Sequence, residues 1–243
     1  YSISKISSAM TINLIIKLLL AHLLSDFIFQ SQRMSDHKES KRINIDHIYH
    51  VFVVGFTSYA LSLDIRFWKY AIILALSHFL IDYLKNILQF TTKKNNLFFI
   101  DQFIHILTII IISFSYAHFE EINFIYNIEL KTLVIITSFV LCAKPANIII
   151  KHLFKAYNIQ LNDSSINDNQ EYSLPNAGRL IGITERYLTL ALVILGQYAA
   201  VGLIVAAKSI LRYNATQTRE YVLAGTLLSF SIAILNGVII NVL

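Results

Sequence analysis

Stretches of mainly apolar residues, each about as long as a membrane-spanning helix, recur along this chain. A helix needs roughly 20 such residues to cross the hydrocarbon core of a bilayer, so their repetition restricts the fold more than any other feature. We therefore predict an all-α, polytopic transmembrane helical bundle with about seven spans. The stretches are Thr11–Phe29, Ile45–Leu63, Phe67–Gln89, Leu97–Phe119, Leu130–Tyr157, Tyr187–Ala207 and Tyr221–Leu243.

Two of these stretches contain a residue that can interrupt a helix. Pro145 lies inside the fifth stretch and should kink it, because proline removes one backbone donor. A hairpin turning at Gly196-Gln197 in the sixth stretch would give eight spans. Each arm of that hairpin would cross only about half a bilayer at about 1.5 Å per residue. We favour a single span over Tyr187–Ala207 on its length and keep the hairpin as the alternative.

Composition supports the membrane class and excludes several others. The 243 residues are 56% hydrophobic and 14% charged, whereas a soluble domain is about 45–50% apolar and about 25% charged. This apolar content excludes a disordered chain. Cys142, the single cysteine, excludes a disulfide scaffold. The net charge of +5 is best explained by cytoplasmic loops, and we expect no nucleic-acid partner.

The distribution of basic residues predicts the orientation of the chain. The first and third loops are the most basic, which predicts that they face the cytoplasm. We therefore expect an inner-membrane protein, with membrane lipid as its partner. Within one membrane domain we distinguish an N-terminal helical bundle (10–157), a cytoplasmic loop (158–177) and C-terminal helices (178–243). The basic residues of the two loops are Arg33, Lys38, Lys41, Arg42, Lys93 and Lys94.

Histidine and aspartate occur four residues apart in three of the predicted helices, a spacing that puts both on one helix face. The order is reversed in the fourth helix, which runs opposite to the first and third. All three aspartates should therefore lie near the cytoplasmic edge, with each histidine about one turn deeper. Two further histidines begin the second helix at the same edge. The pairs are His22/Asp26, His78/Asp82 and Asp101/His105, and the additional histidines are His47 and His50.

These side chains form a candidate metal site. Imidazole nitrogen with carboxylate oxygen is a common ligand set for Zn, Mn or non-haem Fe. A catalytic metal with an open position lowers the pKa of its bound water. We therefore predict a divalent metal and, from it, a hydrolase of a lipid or membrane-embedded substrate. The predicted ligands are His22, Asp26, His78, Asp82, Asp101 and His105, and Asp26, Asp82 and Asp101 are also the candidate catalytic residues.

Other interpretations of the same residues stay open. Each pair could be an intrahelical hydrogen bond that neutralises a buried polar group. His22, His78 or His105 could ligate a non-covalent haem. The cluster could serve a cation- or proton-coupled transporter or channel, because ionisable residues inside a membrane mark such pathways. The chain could also be a non-catalytic membrane partner that docks through residues 159–176.

Basic residues of the C-terminal part could form a wall for an anionic lipid or phosphate substrate. The simpler interpretation is that their side chains reach out to lipid headgroups. The four residues are Arg179, Arg186, Lys208 and Arg212. The motifs GxxxxGK[ST], GxGxxG and HExxH do not occur, so a P-loop, a Rossmann site and a zincin helix are unsupported.

Several segments resemble a known family. AHLLSDFIFQ (Ala21–Gln30), SHFLID (Ser77–Asp82) and DQFIHI (Asp101–Ile106) are similar to the bacterial membrane proteins grouped as domain of unknown function 3307. GRLIGITER, AAKSILRY and AGTLLSF in the C-terminal part resemble the longer members. The resemblance implies a bacterial multi-pass membrane protein and implies no reaction. A weaker likeness to seven-helix zinc hydrolases of the ceramidase type concerns the chemistry alone.

Overall fold

The computed structural model describes residues 2–31, 33–34, 45–88, 97–159, 177–212 and 219–243. The described part is helical and contains no strand, which confirms the all-α class. A π-helical turn, Leu24–Phe29, extends the first helix, and a short 3-10 turn, Ile65–Phe67, precedes the third. The helices are α1 (Ser2–Leu23), α2 (Ile45–Ser62), α3 (Trp68–Leu88), α4 (Leu97–Phe119), α5 (Leu130–Cys142), α6 (Lys144–Ala156), α7 (Ala177–Ile194), α8 (Tyr198–Arg212) and α9 (Arg219–Val242).

Four described segments are long and apolar enough to cross a membrane, and there are five if α5 and α6 form one bent span. The prediction of seven or eight spans is therefore not confirmed. α2 has the expected bounds, but its 18 residues include Asp46, His47 and His50, and these lower its hydropathy. The four segments are Ser8–Phe29, Ile65–Leu88, Leu97–Phe119 and Leu223–Val242.

The continuous helix predicted over residues 187–207 is not found. α7 ends at Ile194 and α8 begins at Tyr198. Gly196 lies between them with φ of +71°, in the left-handed region that glycine enters without a steric penalty. The chain therefore turns at the position that the hairpin alternative named.

The kink predicted at Pro145 is confirmed. α5 and α6 are bent by 52° at a break between Cys142 and Lys144. Pro145 lies in the first turn of α6, where its missing N–H would have no partner in any case. The proline therefore begins a new helix rather than weakening the middle of an old one.

Residue contacts divide the chain into two compact units, Tyr1–Thr137 and Ser138–Leu243. In the first unit α1 packs on α2, α2 on α3, α3 on α4 and α4 on α1, so four helices close a ring. Apolar side chains fill its centre: Leu14, Leu18, Val54, Phe67, Ala71, Leu74, Ile109, Ile112 and Tyr116.

In the second unit α7 packs along α9, and α6 and α8 each contact both of these helices. α7 and α9 lie close at Gly237, where an added Cβ would be 2.5 Å from Cγ1 of Val193. The domain limits at 157 and 177 proposed from the sequence stay predictions, and most of the loop between them lies outside the described residues.

Candidate metal centre

The closed ring of α1–α4 turns seven ionisable side chains of its four helices towards one another. α1 and its π-helical turn supply a histidine and an aspartate, and α2 supplies one histidine. α3 and α4 each supply a histidine and an aspartate. All six residues of the three sequence pairs meet in this cluster, together with one of the two additional histidines. The members are His22, Asp26, His50, His78, Asp82, Asp101 and His105.

Three ligand atoms from α1, α2 and α3 form a compact triangle. Oδ1 of Asp26 lies 3.5 Å from Nε2 of His50 and 3.4 Å from Nε2 of His78. The two Nε2 atoms are 3.0 Å apart. Metal–ligand bonds of about 2.0–2.1 Å in a tetrahedron place neighbouring ligand atoms about 3.3–3.4 Å apart. The triangle therefore has the dimensions of one face of a tetrahedral metal site. Nδ1 of His22 lies beside it, 3.6 Å from the same Asp26 oxygen.

A second triad lies on the α3–α4 side of the cluster. Nε2 of His105 is 3.6 Å from Oδ1 of Asp82 and 3.5 Å from Oδ1 of Asp101. The other oxygen of Asp82, Oδ2, faces the first triangle, at 3.9 Å from His50 and 4.0 Å from His78. The Asp82 carboxylate therefore connects the two groups of ligand atoms. Three overlapping groups of these residues have ligand atoms close enough to hold a metal ion: His22/Asp26/His78, His50/His78/Asp82 and Asp82/Asp101/His105.

Gln102 and Lys85 fix the orientation of the ligands. The amide nitrogen of Gln102 donates to Oδ2 of Asp101 at 3.2 Å, and its oxygen lies 3.3 Å from Nε2 of His22. That amide oxygen can only accept, so His22 carries its proton on Nε2 and turns Nδ1 towards Asp26. Lys85 also donates to Oδ2 of Asp101, at 3.0 Å. Such outer hydrogen bonds set ligand tautomers and orientation in metal sites.

Three ligand atoms of the cluster are buried without a hydrogen-bond partner among the described residues. They are Oδ1 of Asp26, Oδ1 of Asp101 and Nε2 of His105. Leaving a buried polar atom unsatisfied costs about 1–3 kcal/mol, and more when the group is charged. Cations bound beside these atoms would satisfy them.

Asp26 reaches the cluster through the π-helical turn at residues 24–29. Ser25 supports this turn, because its hydroxyl donates to the carbonyl of Ala21 at 2.7 Å and lies 2.7 Å from the Thr57 hydroxyl. π-helical turns are rare and frequently occur at functional sites. The pattern of apolar and polar residues, which indicates helices through a period of 3.6 residues, does not indicate such a turn.

A small cavity borders the cluster on its inner side. This cavity of about 10 Å³ lies beneath the histidines, lined in part by His22, His78, His105 and Ser58. This volume holds about one water molecule. Lys85, with 27% of its side chain exposed, and Asp82, with 13%, are the more open side chains, while His50 is 2% exposed and Asp101 3%. Asp82 and Lys85 are therefore the side chains at which solvent reaches furthest towards the cluster.

The remaining predicted site residues lie elsewhere. His47, one turn before His50, contacts the Asn86 amide at 3.0 Å and is absent from the ligand groups of the described residues. Arg179 is exposed, and Lys208 forms an ion pair with Glu185. The side chain of Arg212 lies outside the described part of the structure.

Arg186 does not lie on a surface as the anion wall requires, because it is 1% exposed. Its guanidinium donates to the carbonyls of Cys142 and Ala143, at 2.6 and 3.2 Å. It also donates to Asn147 at 2.7 Å and to Ser229 at 3.0 Å. These carbonyls are at the break between α5 and α6, where the helical hydrogen bonds stop. Arg186 therefore supplies the donors that the broken helix lacks.

The sequence interpretation missed a second polar network in the first unit. Lys17, 1% exposed, donates to the Ser62 carbonyl at 3.5 Å and lies 3.2 Å from the centre of the Phe124 ring. Asp64 accepts from the Tyr116 hydroxyl at 2.7 Å and from the Asn123 amide at 2.8 Å. The position of Lys17 inside an apolar stretch could have indicated this network, because a lysine within a membrane helix rarely faces lipid.

One comparison with known proteins gives a match. Residues 14–134 match a family described as "Protein of unknown function (DUF3307)". This segment contains all seven residues of the cluster. No curated protein and no solved structure matches the chain.

Proposed function

We propose that this chain, which belongs through residues 14–134 to the DUF3307 family of proteins of unknown function, is a metal-dependent hydrolase of the inner membrane. Its substrate would be a lipid or another membrane-embedded molecule. The observation that carries the proposal is the triangle of Asp26, His50 and His78, whose edges of 3.0–3.5 Å suit a bound divalent ion.

Zn, Mn or Fe is the expected metal, because each accepts a mixed set of imidazole and carboxylate ligands. His50, His78 and Asp26 would hold the ion, with His22 as a further nitrogen donor. Hard ions such as Ca²⁺ prefer sets made of oxygen ligands alone. Of the three aspartates, Asp26 acts in this proposal as a ligand, and Asp82 and Asp101 belong to the adjoining triad.

Hydrolysis follows from the chemistry that a metal with an open position supplies, since its bound water ionises near neutral pH. The chain's own residues would orient that ion and exclude other solvent. Gln102 holds His22 and Asp101, and Lys85 also holds Asp101, so these two side chains are fixed before substrate arrives. Ligands held in this way lose little freedom when the reaction proceeds.

The apolar core supports hydrolysis over transport. Leu18, Val54, Leu74 and Ile109 fill the bundle beneath the histidines, and the cavity between has room for about one water. A transporter needs a polar path or a site that opens to both sides. A site open at one end suits an enzyme that takes and returns its substrate on the same side.

Metal analysis of the purified protein tests this proposal. We expect bound Zn, Mn or Fe in the wild type and in His118→Ala, an exposed histidine outside the cluster, and its loss in His50→Ala. Hydrolysis of bilayer lipids by the metal-loaded protein should be lost in the same variant. Absence of bound metal would overturn the proposal. So would metal flux into liposomes that His50→Ala abolishes, if lipid hydrolysis is absent, because that result identifies a transporter.

A further inference from the structure

We infer that the cluster holds two divalent ions bridged by Asp82, and that its substrate is a phosphate monoester. This inference rests on the proposed function and deepens it, because it states how many ions the site takes and which substrate class they recognise. It is carried by the division of the ligand atoms into two groups.

The cluster has more ligands than one ion uses. Asp26, His50 and His78 already supply three, the number of protein ligands in a catalytic zinc site that keeps one position for water, and His22 lies beside them. The second triad, Asp82, Asp101 and His105, is left over, although Asp101 and His105 are buried as deeply as the first group. Three further ionisable residues directly beside a complete ligand set indicate a second metal position rather than a larger set of ligands for the first ion.

Asp82 has the orientation of a bridging carboxylate. Its Oδ2 faces His50 and His78 at 3.9 and 4.0 Å, and its Oδ1 faces His105 at 3.6 Å. The two groups adjoin, because the rings of His78 and His105 stack with their centroids 4.0 Å apart. In two-metal sites the ions are about 3.5–4 Å apart, a separation that one carboxylate can span.

Unsatisfied atoms occur in both groups. Oδ1 of Asp26 belongs to the first triangle, whereas Oδ1 of Asp101 and Nε2 of His105 belong to the second triad. Oδ2 of Asp101 already accepts from Lys85 and Gln102, so only Oδ1 is left for an ion. One cation in the first triangle would leave the atoms of the second triad unsatisfied.

The charge balance indicates an anionic substrate. Three aspartates with Lys85, the cation that the described residues pair with them, give a net charge of −2 when the histidines are neutral. One divalent ion brings this to zero, and two leave +2. A phosphate monoester carries the complementary charge of −2, and two ions can hold both its attacking and its leaving oxygen.

The reaction is the transfer of the phosphoryl group to water. A hydroxide derived from water forms a bond to phosphorus, the bond from phosphorus to the alcohol oxygen breaks, and the proton that the water released is returned to that oxygen through solvent. The products are the free alcohol and inorganic phosphate. The small cavity beneath the histidines has no room for the substrate, so we place the phosphate beside the more exposed Asp82 and Lys85.

A metal titration of the detergent-purified protein tests the number of ions. We expect two Mn²⁺ per chain in the wild type, with a spin-coupled electron paramagnetic resonance signal. Asp101→Asn should bind one uncoupled ion, and Glu121→Gln, an exposed acid outside the cluster, should bind two. His105→Gln gives an independent second variant if Asp101→Asn does not remain monodisperse. One ion in the wild type would overturn this inference and leave the proposed hydrolase intact, whereas no ion would overturn both.

Phosphate release tests the substrate class. The Mn²⁺-loaded protein is given vesicles containing phosphatidic acid, soluble glycerol 3-phosphate, or vesicles of diacylglycerol, which has ester bonds and no phosphate. We expect phosphate from phosphatidic acid and at least a 100-fold lower rate in Asp101→Asn. Equal release from glycerol 3-phosphate supports the same chemistry with a soluble source. Fatty-acid release from diacylglycerol without any phosphate release overturns the substrate class.

Discussion

Nε2 of His50 and Nε2 of His78 face each other at 3.0 Å across the interface of α2 and α3. Both imidazoles also turn the same nitrogen towards Oδ1 of Asp26. Two neutral imidazoles can share only one proton between such nitrogens. The two Nε2 atoms and the Asp26 oxygen all point at one position. A metal ion stabilises such an arrangement, because each of these atoms can offer it a lone pair.

His78→Ala should weaken metal binding severely, because it removes a member of the triangle and the ring that stacks on His105. We expect a dissociation constant more than about 100-fold higher, above the range of about 10–100-fold seen when only an outer partner is lost. Isothermal titration with Zn²⁺ or Mn²⁺ measures this. His118→Ala is the matched control, and equal affinity in the two variants would contradict the site.

Gln102→Leu should weaken the metal by about 10–100-fold, because Gln102 orients His22 and Asp101 without being a ligand. The number of ions bound at saturation should not change. Gln197→Ala, at an exposed amide, serves as the control. A change in stoichiometry, rather than in affinity, would show that Gln102 has a different role.

Lys85→Met should destabilise the metal-free protein by about 1.5–3 kcal/mol, the value of a hydrogen bond to a charged group. The reason is that Asp101 is buried and would lose its cationic partner. Saturating divalent metal should recover much of this loss, since the ion supplies the missing positive charge. Unfolding of the variant and the wild type, with and without Mn²⁺, measures both effects. The same loss in both conditions would contradict the prediction.

Arg186→Met should lower stability by at least about 3 kcal/mol, because the carbonyls of Cys142 and Ala143 would be left unsatisfied. For a chain of this size the melting temperature should fall by about 6 °C or more. Arg179→Met, at an exposed position, should be close to neutral. If Arg186→Met instead leaves stability unchanged and impairs only the binding of anionic lipid, the structural role is wrong.

Gly237→Ala should cost about 1–3 kcal/mol, because the new methyl group would overlap Val193. Gly202→Ala is the matched control, since a Cβ there has no heavy atom within 4 Å. We expect the control to be neutral or slightly stabilising, as alanine favours a helix over glycine. Equal melting temperatures of the two variants would show that α7 and α9 separate easily.

The sequence predicted which helices carry the cluster, because the spacing of histidine and aspartate within each helix matches the helical period. A spacing of four residues fixes the face of a helix, and the reversed order of Asp101 and His105 indicates its direction. The sequence could not separate His47 from His50, since both begin the same helix. The packing of α2 between α1 and α3 separates them, because it directs His50 inwards and places His47 against Asn86.

The misread features depend on contacts between distant parts of the chain. Arg186 looks like an interfacial anchor in sequence, and its role depends on carbonyls more than 40 residues earlier. The apolar length of residues 187–207 predicts a single span, while one glycine with positive φ decides the turn. Length and hydropathy describe a segment on its own and contain no information about its partners.

The π-helical turn at residues 24–29 follows α1 and carries Asp26, so the direction of Asp26 is set separately from the packing of α1. An α-helix advances by about 100° per residue, and a π turn accommodates one residue more than an α turn. Losing one residue there would rotate the chain after the turn by about 100° relative to Leu14 and Leu18, which stay in the core. The direction of Asp26 can therefore change through a single insertion or deletion while the packing below it is preserved, which makes this turn the point where the chain can readjust the candidate metal site.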